Sequence, residues 1–200
     1  MASELATLSE DFYRVDADLL ARALLGKVLV RTFPDGMSVS GRIYETEAYS
    51  QDDPASHTFN GPTERNMAMF GPGGRAYLYI SYGVHCCLNC VAGDEGVGSG
   101  VLIRGLFPLT GRELMIMNRG CESWSAERLK RSLLNGPSKI GQAMALDLSM
   151  NGQPFSEPPL QIFDDGTVVA EEEMARTPRI GITEGADLLR RYVWEPYGRD

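Results

Sequence analysis

No stretch of this chain approaches the roughly 18 consecutive apolar residues that a membrane-spanning helix needs, so no helical membrane span is expected. The opening run MASELATLSEDFYRVD has neither a basic n-region nor an apolar h-region, and so does not read as a secretory signal. A cytosolic location is expected, at the nucleoid in a bacterium or in the nucleus of a eukaryote. Cysteine is scarce: Cys86, Cys87 and Cys90 cluster, and Cys121 stands apart. That is not the spacing of a disulfide framework, and it favours a reducing compartment. Histidine is scarcer, with only His57 and His85. Cys87-x-x-Cys90 has zinc-knuckle spacing, but no second pair follows at the roughly fifteen to twenty residues such sites use. On a strand the two thiols also point to opposite faces, which favours small core residues. Neither a metal nor an organic cofactor is expected.

Positive charge is short as well: 19 Lys and Arg against 27 Asp and Glu leave a net charge of −8. A chain that holds nucleic acid is more often basic. The deficit is uneven, however. Residues 101–150 carry seven basic residues (Arg104, Arg112, Arg119, Arg128, Lys130, Arg131 and Lys139) against four acidic ones, while both ends of the chain are acidic. That segment suits either a phosphate-holding face or an ordinary solvated helical surface. Repeats, linkers and low-complexity tracts are absent too. With 43% hydrophobic residues, the 200 positions suit one compact domain over 1–200.

The periodicities predict an α+β fold: a mostly antiparallel curved sheet, a protruding β-hairpin and surrounding helices. Residues 11–25 read as a helix, with Asp16 as an N-cap and Gly26 as its stop. Residues 27–33 and 39–49 read as strands joined by the turn Pro34-Asp35-Gly36. Residues 50–66 are too polar and too rich in Pro and Gly for regular structure, and a loop that long in a compact domain is usually functional. Strands are predicted at 76–81, 84–91 and 101–107. Helices are predicted at 109–118, 124–134 and 137–147, with short strands at 160–170 and 178–183.

Three strands carry side chains able to do chemistry. On the first, Glu45, Glu47 and Tyr49 share one face. Two carboxylates beside a ring are costly to bury and offer a base that can activate water; a solvent-facing polar stripe accounts for them equally well. On the second, Tyr77, Tyr79 and Ser81 face away from Ala76, Leu78 and Ile80, and aromatic rings that face a polar cavity can stack on a base. Tyr82-Gly83 forms the hairpin tip. An exposed aromatic there either touches a partner, as wedges entering base steps do, or folds back onto its own sheet. On the returning strand His85, Cys87 and Asn89 share a face, and Asn89 sits either in a pocket or in a core hydrogen bond. Arg104 interrupts the apolar run VLIRGLF and needs an acidic partner: Glu47 or a phosphate would serve. Lys139, in Gly136-Pro137-Ser138-Lys139, suits a phosphate or a plain helix start.

Taken in order, these segments resemble the alkyladenine (3-methyladenine) DNA glycosylase family. The blocks that carry the resemblance are Leu20–Gly26, Gly41-Arg42-Ile43-Tyr44-Glu45-Thr46-Glu47-Ala48-Tyr49, His57 and Arg65-Asn66 with Met69-Phe70. They continue through Tyr77-Leu78-Tyr79-Ile80-Ser81-Tyr82-Gly83, Asn89, Val101-Leu102-Ile103-Arg104, Gly136-Pro137-Ser138-Lys139 and Arg179-Ile180-Gly181-Ile182 to Tyr192-Val193. The chain departs from the family pattern at His85-Cys86-Cys87 and over its last residues. The resemblance implies a base-excision enzyme that flips alkylated or deaminated purines (3-methyladenine, 7-methylguanine, hypoxanthine) from duplex DNA and hydrolyses the N-glycosidic bond. It implies Glu47 as the base that activates water, with Arg104 and the main-chain carbonyl of Ile180 helping to place that water. Tyr49, His57 and Tyr79 would surround the flipped base, Tyr77 would shape the pocket, and Asn89 would clash with guanine's amino group. Tyr82 would fill the vacated space, while Lys139 and Arg65 would serve DNA binding.

No lysine is placed for a Schiff base, so no strand-nicking step is expected. The partner is double-stranded DNA with damaged purines; no membrane is involved, and a monomer is expected. Two other readings stay open from the residues alone. One is a sugar hydrolase using Glu45 and Glu47, although neighbours on one strand stand side by side and do not flank a bond. The other is a nucleic-acid-binding module without catalysis.

Overall fold

The computed structural model describes residues 5–198. In chain order they form β1 (Ala6–Thr7), α1 (Glu10–Tyr13), α2 (Ala17–Ala23), β2 (Val28–Thr32), β3 (Ser38–Tyr49), β4 (Ala76–Ser81), β5 (His85–Val91) and β6 (Gly100–Thr110). There follow α3 (Arg112–Asn118), α4 (Ala126–Ser132), α5 (Pro137–Ala143), β7 (Leu160–Asp164), β8 (Met174–Thr177), β9 (Arg191–Trp194) and α6 (Glu195–Gly198). All the strands join one antiparallel sheet in the order β1-β7-β2-β3-β6-β5-β4. The first half of β3 pairs with β2, and its second half pairs with β9, which also holds β8. The expected α+β fold with a curved antiparallel sheet is the one observed.

The long strand β3 explains how one sheet serves both a core and a site. Ile43 and Ala48 lie in the main hydrophobic core, and the Thr46 hydroxyl donates to the Ala21 carbonyl of α2 at 2.8 Å. Glu45 has the same parity as Ile43 and yet lies outside that core. Strict alternation would have put the two together. The register against β6 shifts between Ile43 and Glu45 and again before Thr46. A bulge of this kind adds a residue, bends the strand and re-aims the side chains beyond it. Ile43 can therefore face α2 while Glu45, Glu47 and Tyr49 turn to the other side.

Several sequence-based boundaries move, each for a local reason. The predicted helix over 11–25 is two helices. Asp16 adopts extended backbone and its carboxylate accepts from the Leu19 amide at 2.8 Å, so it starts a helix and cannot continue one. Residues 109–110 extend β6 and do not begin a helix, because Gly111 takes a left-handed φ of 69° and turns the chain there into α3. The helices predicted at 124–134 and 137–147 are shorter, as α4 and α5. No strand forms over 178–183: the polar groups of that segment bond to side chains and to the end of β3, not to a neighbouring ladder. The strands β8 and β9 instead flank it.

The α5 helix reaches the sheet through a glycine. A Cβ at Gly141 would stand 2.0 Å from the Cys86 carbonyl oxygen, a backbone atom that cannot rotate away. The close approach seats Ile140 and Ala143 in the core and holds the Pro137–Ser138 end of the helix beside β5. Gly141→Ala should therefore lower unfolding stability by about 1–3 kcal/mol, the scale of overpacking, measured by urea denaturation. A midpoint equal to wild type would show that α5 stands further from the sheet.

Candidate active site

Glu47 is the most deeply placed of the predicted site residues, with 0% exposure. It lies on β3, opposite Leu102 of β6 on one side and Arg191 of β9 on the other. Three donors replace water around it. The Ile180 amide donates to Oε1 at 2.7 Å, the Tyr49 hydroxyl to Oε2 at 2.9 Å, and an Arg104 terminal nitrogen to Oε2 at 3.3 Å. Arg104 also donates through Nε to Glu45 at 3.0 Å, and Arg191 donates to the same Glu45 oxygen at 2.7 Å. The stripe of carboxylates is therefore buried and paired, not solvated. Burial works against the charge on Arg104, but Glu47 and Glu45 outweigh it and hold its pKa above the ordinary value. Burial, with the negative Glu47 beside it, likewise pushes the Tyr49 phenol well up, so it remains a donor.

In front of this group opens a cavity of about 500 Å³. Tyr49, Arg104 and Ile180, the three donors to Glu47, form part of its wall. Tyr77 and Tyr79 lie 5.7 Å apart, nearly parallel at 28°, and His57 meets Tyr79 edge-on at 4.5 Å. Tyr77 is fully buried, and its hydroxyl is 2.9 Å from His57 Nδ1. Asn89 is buried in the same wall with its amide nitrogen donating to the Tyr77 carbonyl at 3.2 Å, which leaves the amide oxygen and the second N–H to meet a ligand. Cys87 also faces the cavity, whereas Cys90 lies in the core. The two thiols diverge as strand geometry requires, but only one of them is a core thiol. Among the described residues no three of His, Cys, Asp and Glu gather as metal ligands.

At the rim stands the β4–β5 hairpin. Tyr82, Gly83 and Val84 form its tip between the paired Ser81 and His85. Tyr82 and Gly83 take positive φ values of 49° and 74°, and the Val84 amide donates to the Ser81 carbonyl at 3.2 Å to close the turn. Tyr82 is 91% exposed, so it does not fold back onto the sheet. Arg65 lies at the cavity mouth with its guanidinium 5.7 Å from the Tyr79 ring. Lys139 is outside the cavity wall, and its ammonium sits 2.5 Å from the Asn135 side-chain oxygen. Ile180 presents its amide, not its carbonyl, to Glu47.

Sequence reasoning missed what holds Ile180 in place. Arg179 is buried and forms an ion pair with Asp53, both side chains at 0% exposure. Its guanidinium also reaches the Ala48 carbonyl at 3.0 Å and lies 4.6 Å from the centre of the Tyr49 ring. Arg190 joins Asp53 at 3.0 Å and continues to Asp18. This chain of pairs straps the irregular segment 178–190 across the end of β3 and sets the Ile180 amide over Glu47. Asp53 lies in the polar loop that length alone marked as functional. No local pattern pairs it with an arginine 126 positions away.

Residues 11–197 match the family model described as methylpurine-DNA glycosylase. The chain is 43% identical over 185 residues to a protein of Carboxydothermus hydrogenoformans, covering 92% of this chain and 93% of that protein. It is 40% identical over 188 residues to one of Methanoculleus marisnigri, covering 93% and 94%. It is 46% identical over 180 residues to one of Mesorhizobium japonicum, covering 89% and 82%. All three carry the provisional name 3-methyladenine DNA glycosylase.

The electrostatics of His57 give a direct check on the cavity. The residue as a whole is exposed, but its ring is crowded by Tyr77 and Tyr79. That desolvation, with the positive charge of Arg65, holds its pKa below the ordinary 6.5. The imidazole is then neutral at pH 7. The stability it contributes is complete above pH 6.5 and is lost as pH falls through its lowered folded value. Its NMR titration midpoint should lie below 6.5, and Arg65→Ala should move that midpoint upward. A wild-type midpoint at or above 6.5, or one unmoved by the substitution, would contradict this geometry.

Proposed function

The chain belongs to the methylpurine-DNA glycosylase family, a group of hydrolases of N-glycosyl bonds in DNA, and from that premise we propose that it removes alkylated and deaminated purines with a water activated by Glu47. The observation that carries this reading is the pairing of a wholly buried carboxylate with an aromatic-walled cavity, the two joined by Tyr49, Arg104 and Ile180. A base inside the duplex stack is out of reach, so the target nucleotide has to be extruded into such a cavity. Tyr49, His57 and Tyr79 stack on and hydrogen-bond to the base there, and Tyr77 fixes the His57 ring through its hydroxyl. Glu47 takes a proton from water as that water attacks C1′ of the deoxyribose. Arg104 and the main-chain carbonyl of Ile180 help to hold the water. The C1′–N bond breaks, its electron pair leaves with the purine, and an abasic site remains.

Substrate choice follows from the leaving group. A purine alkylated at N3 or N7 carries a positive charge and departs as a neutral base, so a single carboxylate and a stacking pocket suffice for 3-methyladenine and 7-methylguanine. Hypoxanthine is neutral and needs a proton on the departing ring. Asn89, anchored on the Tyr77 carbonyl, takes up the space that guanine's exocyclic amino group would need. 7-methylguanine carries the same group and is released in spite of that crowding because its cationic ring departs so readily. The cations in the cavity wall are Arg65 and Arg104, with no lysine among them. That supports hydrolysis without a Schiff base, and so without strand cleavage. Every role falls on one chain, in keeping with a monomer. At the rim Tyr82 fills the gap that the base leaves, with Arg65 and Lys139 toward the DNA.

Two substitutions test the reading. Glu47→Gln keeps the volume and one acceptor oxygen for the buried donors, so DNA binding should persist while release of methylpurine in single turnover falls by at least about 10²-fold, the usual scale for losing a general base. Unchanged release would remove Glu47 from the reaction. Tyr82→Ser should leave unfolding stability within about 0.5 kcal/mol, as for an ordinary surface position. It should nonetheless weaken base flipping, read from a fluorescent base analogue beside the lesion. The defect should shrink when the lesion faces a poorly pairing base, because less unpairing energy is then needed. Unaltered flipping with a stability loss of about 2 kcal/mol would sink the wedge role, being several times the ordinary surface effect.

A further inference from the structure

A second cavity, of about 250 Å³, lies beside the first, and Arg104 and Ile180 are walls of both. Arg104 bonds Glu47 on one side and Glu45 on the other, two positions apart on β3, so the partition is a single side chain thick. The second cavity is lined by Glu45, Arg104, Arg191, Lys130, Arg131 and Asn135, among others. Glu45 is already satisfied by Arg104 and Arg191. Lys130 and Arg131, in the last turn of α4, are exposed, and no ion pair of either occurs among the described residues. On a chain of net charge −8, this is an uncompensated cationic wall one side chain away from the site.

We propose that this cavity is a phosphate subsite, and that it takes the phosphodiester adjoining the nucleotide whose base fills the first cavity. The inference rests on the glycosylase reading and extends it to the backbone. An anion is favoured because two free cations line a polar recess whose one carboxylate is neutralised. A phosphodiester is favoured over a free anion because the cavities share a wall, and a backbone phosphate is one sugar removed from the glycosidic bond. The subsite also answers how an acidic protein grips a polyanion: through a local cationic wall while the bulk of its surface stays negative.

The test uses an uncleavable duplex carrying a tetrahydrofuran abasic site, with binding followed by fluorescence anisotropy over a range of NaCl concentrations. Neutralising one phosphate contributes about 0.9 to the slope of log K against log salt. The Lys130→Ala/Arg131→Ala double variant should therefore show a slope shallower by about one, with a thermal melt confirming that it is folded. A methylphosphonate at one of the two phosphates flanking the abasic site should weaken wild-type binding and leave the double variant unaffected. An unchanged slope would overturn the proposal. So would flanking methylphosphonates that weaken both proteins equally, since the two residues would then touch the backbone elsewhere or not at all. Release of methylpurine by wild type is measured separately. Its failure would sink the glycosylase reading, while the uncleaved duplex still reports on the subsite.

Discussion

Burying a carboxylate costs several kcal/mol unless the protein supplies the hydrogen bonds that water would have made. Glu47 has no solvent exposure, and three donors from three different parts of the chain meet it. Tyr49 comes from the same strand, Arg104 from the next strand, and the Ile180 amide from a segment more than a hundred residues later. Each donor also walls the cavity, so the groups that neutralise Glu47 build the chamber in front of it. Arg104 must itself be neutralised, which brings in Glu45 and then Arg191 of β9. Ile180 must be held, which brings in Arg179, Asp53, Arg190 and Asp18. The polar skeleton of the protein grows outward from one buried charge.

That skeleton requires the sheet to show two characters on one strand. β3 packs Ile43 and Ala48 into the core while Tyr49 walls the cavity, Glu47 lies buried behind that wall and Glu45 lines the second cavity, and the bulge between Ile43 and Thr46 reconciles the two. The hairpin β4–β5 repeats the division. Leu78, Leu88 and Cys90 lie in the core, and Tyr77, Tyr79, Cys87 and Asn89 line the cavity. Beyond the sheet's support the same hairpin carries Tyr82 into solvent. One element thus supplies a buried wall at its base and an exposed ring at its tip.

Most of this was legible where chemistry is local. Alternation placed Glu45, Glu47 and Tyr49 on one face, and Tyr-Gly marked the hairpin tip. Asp16 announced a cap, and Arg104 in an apolar strand demanded an acidic partner. What stayed hidden depended on distance along the chain. The strands β8 and β9 are short, and β9 is held by pairing to the middle of β3, so local propensity says little about them. The segment 178–183 read as a short strand, but its Ile180 amide is committed to Glu47. Asp53 read as one more polar loop residue until Arg179 closed on it. The bulge in β3 leaves no signature in composition. Its effect is visible only in which side chains end up in the core.

The claim on which the rest turns is that the cavity beside Glu47 breaks a purine's N-glycosidic bond by hydrolysis. The most direct measurement incubates the protein with duplex DNA carrying 7-methylguanine or 3-methyladenine, separates free bases by chromatography, and adds borohydride in a parallel reaction to trap any imine. Free methylpurine, an uncut strand bearing an abasic site and no protein–DNA adduct are the expected products. DNA that keeps its methylpurines, or release accompanied by a trapped adduct and strand cleavage, would contradict that claim.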